Sequence, residues 1–486
     1  MLQPIDRFYS SIARNPGAIA VAGVGDRDIT YAELARAVGA VAAGLQNRDS
    51  AAGSRVGICL ANSYEHLVAL LATYAAGKVW VPLSARYAAA ERAAMIAATR
   101  PSVVIDDAAA VRTMMADWDG KAPARVERDA EDAQIIKFSG GTTGIPKAVV
   151  QSQRCVSAQA DGLRDFFEFD SNDVNLIAAP LTHGASCFVL PILEVGGRHV
   201  LVENAKPETV FDTIEAHRVT TIYAPPTLLY SLIEHPRAPA FTRGKNNSLL
   251  HVIYSAAPMP PQRIRDCQRI LGPVIETAYG QVEAPQIISA MRADELLIEE
   301  NLLSVGRPSP VVSVGIVNES GELLPSGEVG EIVVSGPLVM NGYLDRPEET
   351  ARTIVDGWLH TGDIGTLDDR GYLFIRGRLR EVINTGGFKV YPADVEASLA
   401  QHRAVEECAV FGVPDKKWGE AVNAAVVVRA EMSVTAEQLI AWVKSELGSV
   451  KAPKRVWLVD HLERNAAGKV SRSAVRARLM SAAVKR

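Results

Sequence analysis

The chain has 486 residues, 48% of them hydrophobic and 22% charged, which suits a folded protein of two or more domains with a large core. Its 51 basic side chains are outnumbered by 56 acidic ones, and no dense Lys/Arg patch carries interleaved aromatics, so nothing points to a nucleic-acid partner. No run of about 18 apolar residues marks a membrane span. The start, Met1-Leu2-Gln3-Pro4, has no signal-peptide pattern. Cys59, Cys155, Cys187, Cys267 and Cys408 are far apart, without CxxC or Cys/His ligand spacing. They read as small thiols of a reducing compartment, and a cytoplasmic location is expected.

In chain order, Thr30-Tyr31-Ala32-Glu33 forms a capping box that opens an alanine-rich helix to about Leu45. Residues 55–60 read as a strand, Asn62 as the cap of a second helix to about Ala76, and 79–83 as another strand. Ala88-Ala89-Ala90 reads as helix. Gln134 to Phe138 reads as a short strand. Alternation continues through a strand at 200–203, a helix at 209–217 and a strand at 221–224. This predicts an α/β fold of βαβ units, with mostly parallel sheets flanked by helices. From 311 to 335 the texture changes to short strands and Gly/Pro turns, a small irregular β region. A boundary near Gly377-Arg378-Leu379-Arg380 separates an N-terminal domain, 1–379, from a smaller α+β C-terminal domain, 380–486. In the latter, 393–401 and 435–447 read as helices and 406–411 and 424–429 as strands.

The most informative segment is Ser139-Gly140-Gly141-Thr142-Thr143-Gly144-Ile145-Pro146-Lys147. Glycines let backbone N–H groups approach a ligand closely. Ser139, Thr142 and Thr143 add hydroxyls and Lys147 a mobile positive charge, a loop suited to phosphate oxygens. A Walker loop needs Gly before the lysine and Ser or Thr after it; Pro146 and Ala148 stand there instead.

The loop resembles the phosphate loop of the adenylate-forming superfamily, which contains the acyl-CoA synthetases, luciferases and peptide-synthetase adenylation domains. Further motifs follow in that family's order: Tyr279-Gly280-Gln281-Val282-Glu283, Thr361-Gly362-Asp363, Gly377-Arg378, then Glu381 with Gly386-Gly387, and Asn465-Ala466-Ala467-Gly468-Lys469. The resemblance covers almost the whole chain. It implies a large N-terminal domain and a small mobile C-terminal domain hinged at Arg380, with ATP, Mg²⁺ and coenzyme A as cofactors. Ser139 to Gly144, Lys147, Ala257, Tyr279, Gly280, Gln281 and Val282 would hold ATP or AMP. Tyr279 would stack on adenine, and Asp363 and Arg378 would take the ribose. Glu283 would hold Mg²⁺, which accepts one or two carboxylates plus phosphate oxygens. Lys469 would bridge the acid carboxylate and the α-phosphate, where negative charge repels attack. His183, in Pro180-Leu181-Thr182-His183-Gly184, would sit where the acid pocket meets the thiol tunnel; a purely structural histidine is the competing reading. The acid pocket would draw on His183, Tyr223, Thr227, Tyr254, Ser255, Ala256 and Ala284, and the CoA tunnel on Gly386 and Gly387.

The chain departs from the family at two positions: Val282 stands for a threonine and Ala148 for a glycine. Ala256, where many members have glycine, would narrow the acid pocket. The candidate pocket segments contain no Arg or Lys to pair a second carboxylate, which counts against a dicarboxylic acid. The expectation is an AMP-forming acyl-CoA synthetase acting on an aryl, alicyclic or medium-chain monocarboxylate. An enzyme that loads a carrier protein, luciferase chemistry, and a non-catalytic acyl- or nucleotide-binding relative are the alternatives, and a homodimer is left open.

Overall fold

A computed structural model describes residues 3–139, 147–241, 245–464 and 470–484. The chain divides into two compact units, one of residues 1–314 and 333–361, the other of 315–332 and 362–486.

The first unit is built on two sheets. A nine-stranded sheet has the parallel strands Val174–Ile177, Thr221–Ala224, His251–Tyr254 and Ile275–Tyr279 as neighbours, with helices in the connections. A six-stranded sheet runs Gly342–Tyr343, Ala148–Ser152, Ala133–Phe138, Val79–Pro82, Arg55–Ile58, Val103–Ile105. This is the α/β fold expected from the strand–helix alternation.

Local sequence fixes several boundaries. The helix Tyr31–Arg48 starts at the Thr30 box: the Glu33 N–H donates to Thr30 Oγ1 at 3.2 Å, and the Thr30 N–H donates to Glu33 Oε2 at 2.8 Å. Its inward face packs Leu34, Val38, Val41 and Leu45, all at 0% exposure. The next helix, Tyr64–Ala75, corrects the expected cap. Ser63, not Asn62, accepts the His66 N–H. Asn62 is buried and turned away, donating through Nδ2 to the Ala179 carbonyl at 2.9 Å and accepting the Leu181 N–H at 2.9 Å. A long-range demand for partners has overridden its capping propensity.

The strand Trp358–Leu367 carries the chain from the first unit into the second, where its later half pairs antiparallel with Leu373–Arg378. The main sheet of the second unit is ordered Phe388–Val390, Ile383–Thr385, Gly419–Val428, Val405–Asp415, with Arg455–Leu458 parallel to Gly419–Val428. The helices Pro392–Gln401 and Ala436–Lys451 cover it around Val395, Leu399, Val422, Val426, Leu439 and Val443. Thr435 caps the second of these helices, its hydroxyl accepting the Gln438 N–H. The hairpin strands are longer than expected: pairing runs on to Asp415 opposite Gly419, through a Gly412/Pro414 stretch that reads locally as a turn. Among the described residues no helix is long and apolar enough to cross a membrane. All five cysteines are free, with Cys155, Cys187 and Cys267 buried.

Candidate active site

In the first unit, topology gathers the predicted segments. Four neighbouring parallel strands end at Ile177, Ala224, Tyr254 and Tyr279, and the chain leaves them into Pro180 to His183, Pro225 to Thr227, Ser255 to Ala257 and Gly280 to Glu283. All four candidate segments therefore lie at the carboxyl edge of the parallel strands of one mixed sheet, where open α/β sheets bind ligands.

The Gly-rich loop leaves the other sheet. Gly140, Gly141, Thr142, Thr143 and Gly144 lie outside the described residues, but both ends are fixed. The Ser139 N–H donates to the Lys147 carbonyl at 2.9 Å, at the head of the antiparallel pair Ala133–Phe138 and Ala148–Ser152. Gln151 Nε2 donates to the Val282 carbonyl at 2.7 Å, tying this pair to the Tyr279-to-Glu283 segment. The Met340 N–H donates to the Glu283 carbonyl at 2.8 Å, and the Leu344 N–H donates to the Ala148 carbonyl at 2.8 Å. Between them Tyr343 donates its hydroxyl to Glu283 Oε1 at 3.0 Å. Lys147 Nζ stands 4.6 Å from the centre of the Tyr343 ring and 2.6 Å from Glu349 Oε1. Burial, then the neighbouring Glu283 charge, raises the Tyr343 pKa, so its phenol stays a donor.

Lys147 and Glu283, far apart in sequence, thus share one small cluster. Tyr343 and Glu349 complete it, and the sequence reading missed both. The only local signal was Gly342-Tyr343 ahead of the Pro347–Thr353 helix. Gln281 also donates through Nε2 to the Thr361 carbonyl at 3.0 Å. Tyr279 ends its strand, largely buried.

His183 sits at the start of the short helical turn Gly184–Phe188. Its Nδ1 lies 2.9 Å from Thr182 Oγ1 and its Nε2 3.3 Å from Tyr87 Oη, a partner the sequence did not suggest. Burial first, then the positive charges of Lys137 and Arg86, pull the imidazole down to about 4, so it is neutral at pH 7. Gly184 packs on Tyr223: a side chain there would fall 2.5 Å from the Tyr223 hydroxyl. Tyr223 is buried and stacks on Phe188 with centroids 5.4 Å apart. Tyr254 and Ser255 are buried at the neighbouring strand end, and burial pushes the Tyr254 phenol up to about 12. Ala284 is fully buried, whereas Thr227 and Ala256 are exposed. Ala256 has φ +76°, a conformation that glycine adopts without strain. Ala257 follows it, half-buried.

In the second unit, Asp363 and Arg378 are register partners across two antiparallel strands, with Arg378 Nε 3.3 Å from Asp363 Oδ1. Arg380 lies in the turn Leu379–Glu381 that follows. Gly386 and Gly387, at φ +58° and +84°, link the strands Ile383–Thr385 and Phe388–Val390 in a hairpin turn that needs positive φ at both positions. A side chain at Gly386 would also strike the Trp418 ring at 2.9 Å. Lys469 lies outside the described residues. Glu381 and Glu396 both bind Arg472, which follows that segment.

The AMP-binding enzyme model matches residues 8–344, and the AMP-binding enzyme C-terminal domain model matches residues 394–469. The chain belongs to the AMP-binding enzyme family. Over 475 residues it is 36% identical to a feruloyl-CoA synthase of Amycolatopsis, covering 93% of this chain and 94% of that one. It is 39% identical over 368 residues to a medium/long-chain-fatty-acid–CoA ligase of Mycobacterium tuberculosis, covering 74% of this chain and 64% of that longer relative. The amide bond synthetase McbA of Marinactinospora thermotolerans superposes with a TM-score of 0.88 at 32% identity, covering 98% of this chain and 99% of that one. With these relatives the chain is an adenylate-forming enzyme of the acid–CoA ligase group.

Proposed function

We propose that this chain converts an aryl, alicyclic or medium-chain monocarboxylate to its acyl-AMP with release of pyrophosphate, then transfers the acyl group to coenzyme A. The observation that carries the residue assignment is the Lys147–Tyr343–Glu283 cluster, assembled from the Lys147 end of the phosphate-loop segment, the strand Gly342–Tyr343 and the Tyr279-to-Glu283 segment. It brings together one cation, at the end of the glycine-rich segment of the sequence, and one oriented carboxylate, the equipment for gripping a nucleotide triphosphate. The acid class is supported by the feruloyl- and fatty-acyl-CoA-forming relatives and by pocket segments without Arg or Lys.

Each residue has a distinct task in this reading. Lys147 exchanges Glu349 for phosphate oxygens. Tyr279 stacks on adenine, with Ala257 beside it, and Asp363 and Arg378 hold the ribose. Neutral His183 borders the acid and cannot form a competing ion pair with its carboxylate. Lys469 neutralises charge where the carboxylate attacks the α-phosphate. Arg380 is the pivot between the two half-reactions, and Gly386-Gly387 leaves room for the pantetheine thiol. Glu283 offers a hard oxygen donor held by Tyr343, which fits a cation arriving on nucleotide phosphates. Bound there, Mg²⁺ supplies Lewis-acid neutralisation of the phosphate charge.

The acceptor is tested by product analysis. The enzyme is incubated with ATP, Mg²⁺ and a panel of acids, with coenzyme A, a phosphopantetheinylated carrier protein or an amine as acceptor. Acyl-CoA as the dominant product supports the reading, and acylated carrier or amide in its place overturns it.

A further inference from the structure

Lys137 is a cation for which the chemistry above has no use. It lies on the strand Ala133–Phe138, two residues before the phosphate loop opens at Ser139. Its Nζ donates to the His183 carbonyl at 3.0 Å and approaches Ser186 Oγ at 3.4 Å. Ser186 Oγ donates to the same carbonyl at 2.9 Å, and the ammonium stands 5.7 Å from the Trp80 ring centre. No ion pair joins Lys137 to a carboxylate among the described residues. A lysine drawn away from water without a counter-charge is costly. Here that charge is spent on a backbone carbonyl in the one turn that presents His183.

We propose that Lys137 is a positioning residue for acid binding: its ammonium, held on the His183 carbonyl, fixes the 183–186 turn against the strand that leads into the phosphate loop and so sets the affinity for the acid. This rests on the reading that His183 borders the acid. The arrangement links the two binding elements through one hydrogen bond and two residues of strand, so the acid is held in a fixed place relative to the strand that leads into the phosphate loop. The groups facing His183 are Lys137 from the strand and Arg86 and Tyr87 from the segment ahead of the Ala89–Thr99 helix. Glu91 acts on Tyr87, and the Cys187 thiol beside Lys137 is pushed up by burial and stays neutral. Lys137 is therefore one of two cations that hold the imidazole uncharged, alongside burial.

The test compares Lys137→Met, which keeps the stem and removes charge and donor, with Lys137→Gln, which keeps a donor and removes charge. With the acid the parent enzyme uses, Lys137→Met is expected to raise the KM for the acid about tenfold or more, with the KM for ATP and kcat changed less than about threefold. Lys137→Gln recovers part of that loss. Independently of turnover, the His183 imidazole is titrated by NMR, its resonance assigned by its absence in His183→Gln. The midpoint moves up by about one pH unit in both Lys137 variants, because both lack the charge. An inactive parent enzyme would overturn the acid-ligase reading and leave the titration to judge the Lys137–His183 contact. Equal losses for ATP and acid together with an unmoved His183 midpoint would overturn the proposal.

Discussion

Asp363 and Arg378 face each other across two antiparallel strands of the second unit, 3.3 Å apart, with Asp363 nearly inaccessible to solvent. Fifteen residues separate them in the chain, and a tight return at Gly371 brings them into register. A carboxylate oriented by a guanidinium in this way can accept from paired hydroxyls. Asp363→Asn keeps the shape and loses the charge. The KM for ATP is expected to rise about ten- to a hundredfold, with a smaller effect on the KM for the acid. Steady-state kinetics with each substrate varied checks this; a KM for ATP within twofold of the parent value would remove Asp363 from the nucleotide site.

Val282 is the one aliphatic side chain in the Tyr279-to-Glu283 segment. Its carbonyl is already held by Gln151 and the neighbouring Glu283 carbonyl by Met340, so the backbone there will tolerate a change of side chain. Val282→Thr adds a hydroxyl of nearly the same shape. One donor to a charged phosphate is worth roughly 1.5–3 kcal/mol. The adenylation rate is expected to rise, or the KM for ATP to fall, by about tenfold in stopped-flow pyrophosphate release. A rate unchanged or lowered would mean that another group already fills the place.

Ala256 carries a left-handed backbone with φ +76°. The Cβ penalty there is about 1–2 kcal/mol, while glycine adds about 0.4–1 kcal/mol of unfolded-state entropy. The balance favours Ala256→Gly, which should stabilise the protein by up to about 1 kcal/mol in urea denaturation. If Ala256 borders the acid, the same change shifts kcat/KM towards bulkier acids by roughly 1–3 kcal/mol and leaves the KM for ATP unchanged. A substrate profile that overlays the parent's would place Ala256 outside the acid pocket while leaving the stability prediction standing.

Stability should also depend on pH. His66, His183 and His199 are each held down to about 4 by burial. His199 is locked neutral: Nε2 donates to the Val189 carbonyl and Nδ1 accepts from Asn175. In the unfolded chain these groups titrate near their ordinary value of about 6.5. The unfolded state therefore binds more protons in the window from about 6.5 down to about 4, and stability falls as pH falls through it. With all three contributing, the steepest loss approaches about 4 kcal/mol per pH unit. Glu276, raised by burial, opposes this towards the acid end. Urea midpoints from pH 7.5 to 4.5 should decline steadily; a flat profile would show that the three imidazoles are not buried neutral.

Much of this was written in local sequence. The Thr30/Glu33 box was legible because a cap and its partner lie three residues apart. The order of the short motifs identified the family, and the Tyr279-to-Glu283 motif stands where a strand of the nine-stranded sheet ends. Asn62 misled because its capping propensity lost to carbonyls more than a hundred residues away. Tyr87, Lys137, Tyr343 and Glu349 were illegible for a related reason. None belongs to a periodic pattern, and each meets its partner only through tertiary packing: Lys137 and His183 are 46 residues apart, Tyr343 and Glu283 are 60. The roles of residues 140–146 and of Lys469 rest on their motifs.

The central claim is adenylation of an acid before any thiol is engaged. ATP–pyrophosphate exchange, measured with Mg²⁺ and a panel of aryl, alicyclic and straight-chain monocarboxylates in the absence of coenzyme A, tests it most directly. The account predicts isotope exchange into ATP that depends on the acid, is strongest for one structural class, and is lost in Glu283→Ala and Lys469→Ala. Exchange at background for every acid, or exchange that appears only when coenzyme A is added, would contradict it.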